Sequence, residues 1–108
     1  MTTERVHKSE PHDVYIGRGQ NGETNMGGVP IGVTGWLGNP YKESHYGREK
    51  CIELFERDLG WMVEGNPVFR AKLVSLYGKT LGCYCFDHQE CHGDVIVSKI
   101  NELYLESL

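Results

Sequence analysis

The chain has 108 residues, 39% hydrophobic and 24% charged, with 14 glycines and a formal net charge of −4. That length fits one domain with its own core, without obligatory metals or disulfides. The acidic balance argues against a duplex nucleic acid partner, which needs clustered cations, and no apolar run approaches the ~20 residues of a membrane span.

Met1 to Asp13 is polar and mixed in charge, and predicts a flexible amino-terminal arm ahead of a single α/β domain over 14–108. It contains no apolar leader, and four cysteines in such a chain point to reduced thiols in a cytoplasm, that of the host if the protein is viral. Val14-Tyr15-Ile16 predicts a first strand that stops at Gly17-Arg18-Gly19. An arginine between glycines at the carboxyl end of a strand either points its donors into a crevice or sits solvated in a turn.

Gln20 to Trp36 has glycine at 22, 27, 28, 32 and 35 and predicts a long loop. Val29 to Thr34 suggests an edge strand or hairpin, confined to an edge by Pro30. Asn25, Met26 and Thr34 are candidates to close over a ligand. Trp36-Leu37-Gly38-Asn39-Pro40-Tyr41 is a turn signature in which Trp36 and Tyr41 either staple the loop to the core or stack on a base.

From Gly47 to about Trp61 the apolar residues recur at helical spacing through Cys51, Phe55 and Leu59, which makes Cys51 a buried structural cysteine. Asn66 as N-cap and Pro67 at the first position start a second helix through Phe69, Leu73 and Leu76, and Gly78 stops it. Thr80 to Cys85 predicts a second strand, parallel to the first because two helices separate them. A last helix buries Val95, Ile96, Ile100 and Leu103. The expected fold is a small layered α/β domain with a short, mainly parallel sheet and a Rossmann-like βααβα core. So few strands leave an edge that a second copy of the chain can cover, making a homo-oligomer.

The stretch from Lys79 to Val97, KTLGCYCFDHQECHGDVIV, concentrates the chemistry. Zinc is one option, drawing on Cys85, Cys91 and either His88 or His92. Cys83 and Cys85 together do not suit it, because alternate strand residues lie ~6.6 Å apart and thiolates sharing zinc must approach within roughly 4 Å. A Cys85–Cys91 disulfide across the turn is a second option. Cys91 as a nucleophile beside His92 is a third. The fourth is an anion cradle: Cys91-His92-Gly93-Asp94 runs into a helix start, where backbone N–H groups face outward unless Asp94 caps them. His92 and Arg18 would then meet past the ends of neighbouring parallel strands.

The order of these motifs (an arginine after the first strand, Gly38-Asn39-Pro40-Tyr41, Leu81-Gly82-Cys83-Tyr84-Cys85 and Cys91-His92-Gly93-Asp94) resembles DUF4326, a phage and bacterial family of unknown function. The resemblance runs from Val14 to about Leu103, and the Gln20 to Trp36 loop looks longer than the family's link. It implies no activity, but it groups Arg18, Asn39, Cys83, Cys85, Cys91, His92 and Asp94 as one constellation.

The expected function is binding of a nucleotide or nucleotide-derived phosphate at the carboxyl edge of the sheet, by sequestration (as a viral sponge for a signalling nucleotide) or with turnover. Gly17, Arg18, Gly19, Asn39, Tyr41, Cys91, His92, Gly93 and Asp94 would form the site, with His92 and Asp94 the acid–base pair if chemistry occurs. No cofactor is required. The alternative is a zinc-stabilised or redox-active protein-interaction module.

Overall fold

A computed structural model describes residues 3–19, 24, 29–83 and 91–108. The central strand, β3 (Thr80–Cys83), lies between β1 (Glu4–His7) and β2 (Val14–Tyr15), and both neighbours run parallel to it. The register sets Glu4 opposite Thr80 and His7 opposite Cys83 on one side. On the other side it sets Val14 opposite Leu81, and Ile16 extends the pairing by donating its N–H to the Gly82 carbonyl at 2.8 Å.

β1 is a correction to the expected arm. Glu4-Arg5-Val6-His7 has little apolar content, but pairing with β3 satisfies its backbone groups, and Arg5 finds partners inside the protein. The short link from β1 to β2 is fastened to β3 at both ends. Lys8 donates to the Cys83 carbonyl at 2.7 Å, and Asp13 donates to Thr80 at 2.8 Å while its carboxylate accepts from the Thr80 N–H at 2.9 Å. Such a crossing fits because Gly82 has no side chain: a Cβ there would lie 2.5 Å from the His12 ring.

The helices follow their apolar spacing. A single turn, α1 (Glu43–Tyr46), precedes α2 (Arg48–Gly65), which buries Cys51, Phe55, Leu59 and Val63 every fourth residue. Asn66 caps α3 (Pro67–Val74) by accepting from Val68 and Phe69, both at 3.1 Å, with Pro67 in the first turn as the sequence predicts. Gly78 closes the segment after α3 with a φ of 82°, a backbone angle that suits glycine. The last helix, α4 (His92–Glu106), buries Ile96, Ile100 and Leu103, and Val95 is half-buried. Tyr77 and Tyr104 stack 3.6 Å apart, which ties the end of α3 to α4.

The expected βααβα core is therefore present as β2, α2, α3, β3 and α4. Phe55, Leu59, Phe69, Leu73, Leu81, Ile96 and Ile100 make its centre, and Trp36 joins it edge-on to Phe69 at 5.7 Å. Trp36 thus serves as a staple for its loop, and no face of it is left for a base. The hairpin suggested for Val29 to Thr34 does not form. Those residues are bends and turns, held by bonds such as Val33 to the Pro30 carbonyl at 3.1 Å. Asn25, Met26, Tyr84, Cys85 and His88 lie outside the described residues. Among the described residues no helix is long and apolar enough to cross a membrane.

Candidate functional site

Two clusters meet past the carboxyl end of β2. The first is built by Arg18, whose Nε donates to the Asn39 carbonyl at 2.7 Å and whose Nη2 donates to the Tyr41 carbonyl at 3.3 Å. The loops touch because Gly38 is bare: a Cβ there would be 3.0 Å from Arg18 Cα and 3.2 Å from the Gly17 carbonyl. Asn39 is buried and uses both ends of its amide. Its Nδ2 donates to the Cys51 carbonyl at 3.1 Å, and its Oδ1 accepts from the Tyr41 N–H at 2.9 Å. The Tyr41 hydroxyl donates to Asp58 at 2.6 Å and accepts from Arg57 at 3.2 Å. The bond to Asp58, helped by burial, holds the phenol above its ordinary range.

Arg18 differs from the other arginines. Arg5, Arg48, Arg57 and Arg70 each pair with a carboxylate, whereas among the described residues Arg18 bonds only carbonyl oxygens. Those contacts orient the guanidinium without neutralising it.

The second cluster is the start of α4. Cys91 is the N-cap: its sulfur accepts from the Gly93 N–H at 3.3 Å, and its own N–H donates to Asp94 Oδ2 at 3.3 Å, a reciprocal capping box with cysteine in the serine position. The anion-cradle reading needed these donors to face a ligand; Cys91 and Asp94 take up two of them. His92 Nε2 lies 2.9 Å from the Ile16 carbonyl, an acceptor only, which assigns the ring proton to Nε2. Nδ1 then presents its lone pair to Cys91 Sγ at 3.7 Å, and Phe55 packs edge-on against the ring at 4.9 Å.

Gly93 is buried, and a Cβ on it would strike Arg5 Cδ at 2.7 Å and Ile16 Cδ1 at 2.8 Å, so its bareness admits neighbours from β1 and β2. Asp94 turns toward β1, where its Oδ1 accepts from Arg5 Nε at 2.7 Å. Arg5 also reaches Cys83 Sγ with Nη1 at 3.5 Å, and Cys83 and Cys91 sulfurs lie 3.5 Å apart. Burial works against the charge on Arg5, but the bonds to Cys83 and Asp94 outweigh it and hold the guanidinium above its ordinary value.

The constellation is thus divided. Arg18, Asn39 and Tyr41 form one group, with Gly17 buried and Gly19 half-buried beside it. His92 joins that edge through Ile16, while Asp94 belongs to a separate contact with Arg5. Among the described residues no hydrogen bond links His92 to Asp94, and no group of three or more metal-ligating side chains is assembled. Cys51 is buried as expected, its thiol pushed up by burial and by the nearby Glu43, and it donates to the Arg48 carbonyl at 3.1 Å. Arg5 is the residue the sequence did not reveal. It sits in a polar stretch with no motif around it, and only the pairing of β1 brings it to Cys83.

Fold and site define a small parallel α/β domain whose Arg18 and Asn39 turns meet past the carboxyl end of β2, next to the start of α4. The chain belongs to the family described as domain of unknown function DUF4326, whose model matches residues 1–102. It is also 39% identical over 57 residues to an uncharacterized 12.4 kDa protein in the nrdA-td intergenic region of Enterobacteria phage T4, a match spanning 53% of this chain and 52% of that protein. No solved structure matches the chain.

Proposed function

We propose that this chain is a small-molecule binding domain that takes a nucleotide or nucleotide-derived phosphate at the carboxyl edge of its sheet. The observation that carries the reading is Arg18, a half-buried guanidinium held by the Asn39 and Tyr41 carbonyls and met by no carboxylate among the described residues. An oriented arginine with donors to spare suits the paired oxygens of a phosphate. Tyr41 and the backbone of Gly17 to Gly19 lie beside it to contact the rest of the ligand.

The helix start has a supporting part. With its cap taken up by Cys91 and Asp94, α4 adds the positive end of its dipole more than a set of open donors. His92 and Asp94 have different partners, which favours binding over turnover. In a phage-encoded member such binding would sequester a nucleotide in the host cytoplasm.

Thermal unfolding of the full chain against a panel of nucleoside mono-, di- and cyclic phosphates tests this reading. A ligand at a hundredfold excess over its Kd stabilises by about 2.7 kcal/mol. The expected result is a saturable rise in Tm with at least one panel member, lost in Arg18→Gln. A rise of equal size in Arg18→Gln would remove Arg18 from the site and with it the reading.

A further inference from the structure

The dithiol of Cys83 and Cys91 has no part in that binding role, and its surroundings are chemically specific. The two sulfurs are 3.5 Å apart, so closing them to a disulfide at ~2.05 Å needs an approach of about 1.5 Å, within reach of side-chain rotation. Each sulfur accepts a hydrogen bond that favours the thiolate: Cys83 from the Arg5 guanidinium, and Cys91 from the Gly93 N–H at the amino end of α4. His92 Nδ1, 3.7 Å from Cys91 Sγ, stands where the proton of that thiol would go, with Nε2–H held by Ile16.

Cys91 is the thiol nearer the surface. It lines a cleft with Glu49, Glu53, Glu56 and Asp94. At 2% exposure it is nonetheless buried almost as fully as Cys83 at 0%, so attack on a reagent needs a small opening of the α4 start. Lys50 stands 3.9 Å from Glu53 and Arg5 holds Asp94, yet among the described residues the charge on the lining is acidic. A negative cleft attracts cationic reagents and repels anionic ones.

We propose that Cys83 and Cys91 are a thiol–disulfide exchange pair whose oxidant is a small cationic disulfide. Cys91 passes its proton to His92 and attacks one sulfur of the reagent, forming a mixed disulfide and releasing the first reagent thiolate, which takes the proton from His92. Cys83, as thiolate beside Arg5, then attacks Cys91 Sγ and expels the second reagent thiolate, which takes up the proton that Cys83 released. The protein loses two thiols, the reagent is reduced to two thiols, and no further oxidant is needed.

The test exposes the native full chain to cystamine, which is cationic, and to glutathione disulfide, which is anionic. Acid quenching, alkylation and peptide mapping then follow, in wild type and in Cys85→Ser. The expected product is a Cys83–Cys91 link in both proteins, formed about tenfold faster with cystamine at low salt. Cys83→Ser should stop at a cysteamine adduct on Cys91. Linked peptides that always contain Cys85 overturn the assignment, as does recovery of Cys83 and Cys91 as thiols under conditions that oxidise the urea-unfolded chain. Equal rates with the two reagents overturn the cationic preference.

Discussion

Asn39 holds three segments together: its amide spans from the Cys51 carbonyl to the Tyr41 N–H, and its own carbonyl receives Arg18. Removing the amide leaves the Tyr41 N–H without its partner, at a cost of about 1–3 kcal/mol, and takes the second hydrogen bond from the Cys51 carbonyl, which keeps its intrahelical one. Asn39→Ala should therefore lower stability by roughly 2 kcal/mol or more in urea unfolding. Gly38→Ala should cost about 1–3 kcal/mol, because the added methyl meets backbone at Arg18 and Gly17, which cannot rotate away. At alkaline pH, Cys51 and Tyr41 act in the same direction. Both are acids held above their ordinary range in the fold, so their stabilisation is complete below the unfolded pKa values and lost as pH rises through the shifted ones. Stability measured from pH 7 upward should begin to fall near the ordinary thiol range, about 8.5. Cys51→Ala combined with Tyr41→Phe should flatten that limb.

Among the elements, β1 makes the sharpest prediction. Deleting residues 1–8 removes a parallel strand and the Arg5 contacts to Asp94 and Cys83. Each ladder hydrogen bond is worth about 0.5–1.5 kcal/mol net, so the deletion should cost several kcal/mol and broaden or abolish the unfolding transition. A detached arm would come off without a change in Tm. The helices were legible because spacing and caps are local: Phe55 and Leu59, or Asn66 followed by Pro67, carry their meaning within one or two turns of chain. β1 was not legible, because Glu4 to His7 owes its strand state to partners more than seventy residues away. Val29 to Thr34 failed in the opposite sense, since β-branched residues suggested a strand where Pro30 and the neighbouring glycines make turns. Of the motif residues, Arg18 and Asn39 are in direct contact, while Cys91 caps α4 in the second cluster. The cysteine cap of α4 is local, but a capping box is read from serine or threonine at that position; that Asp94 would also face Arg5 depended on the unseen strand.

At the scale of the whole molecule, the last strand in the chain occupies the middle of the sheet, so neither edge strand has a neighbour until β3 arrives between them. The sheet edge proposed to carry the site is therefore assembled from residues 16–18, 38–41 and 91–93 only in the completed fold. A ligand there should be sensed by all three segments together. The measurement that decides this is a titration of isotopically labelled full chain with the nucleotide giving the largest thermal shift, followed by amide and arginine side-chain resonances. Saturable changes at Gly17, Arg18 and its Nε, Asn39 and Tyr41, with smaller ones at His92 and Gly93, are the predicted result. Saturable changes that leave Arg18 and Asn39 unmoved, or none with any nucleotide of the panel, would contradict phosphate recognition at this edge.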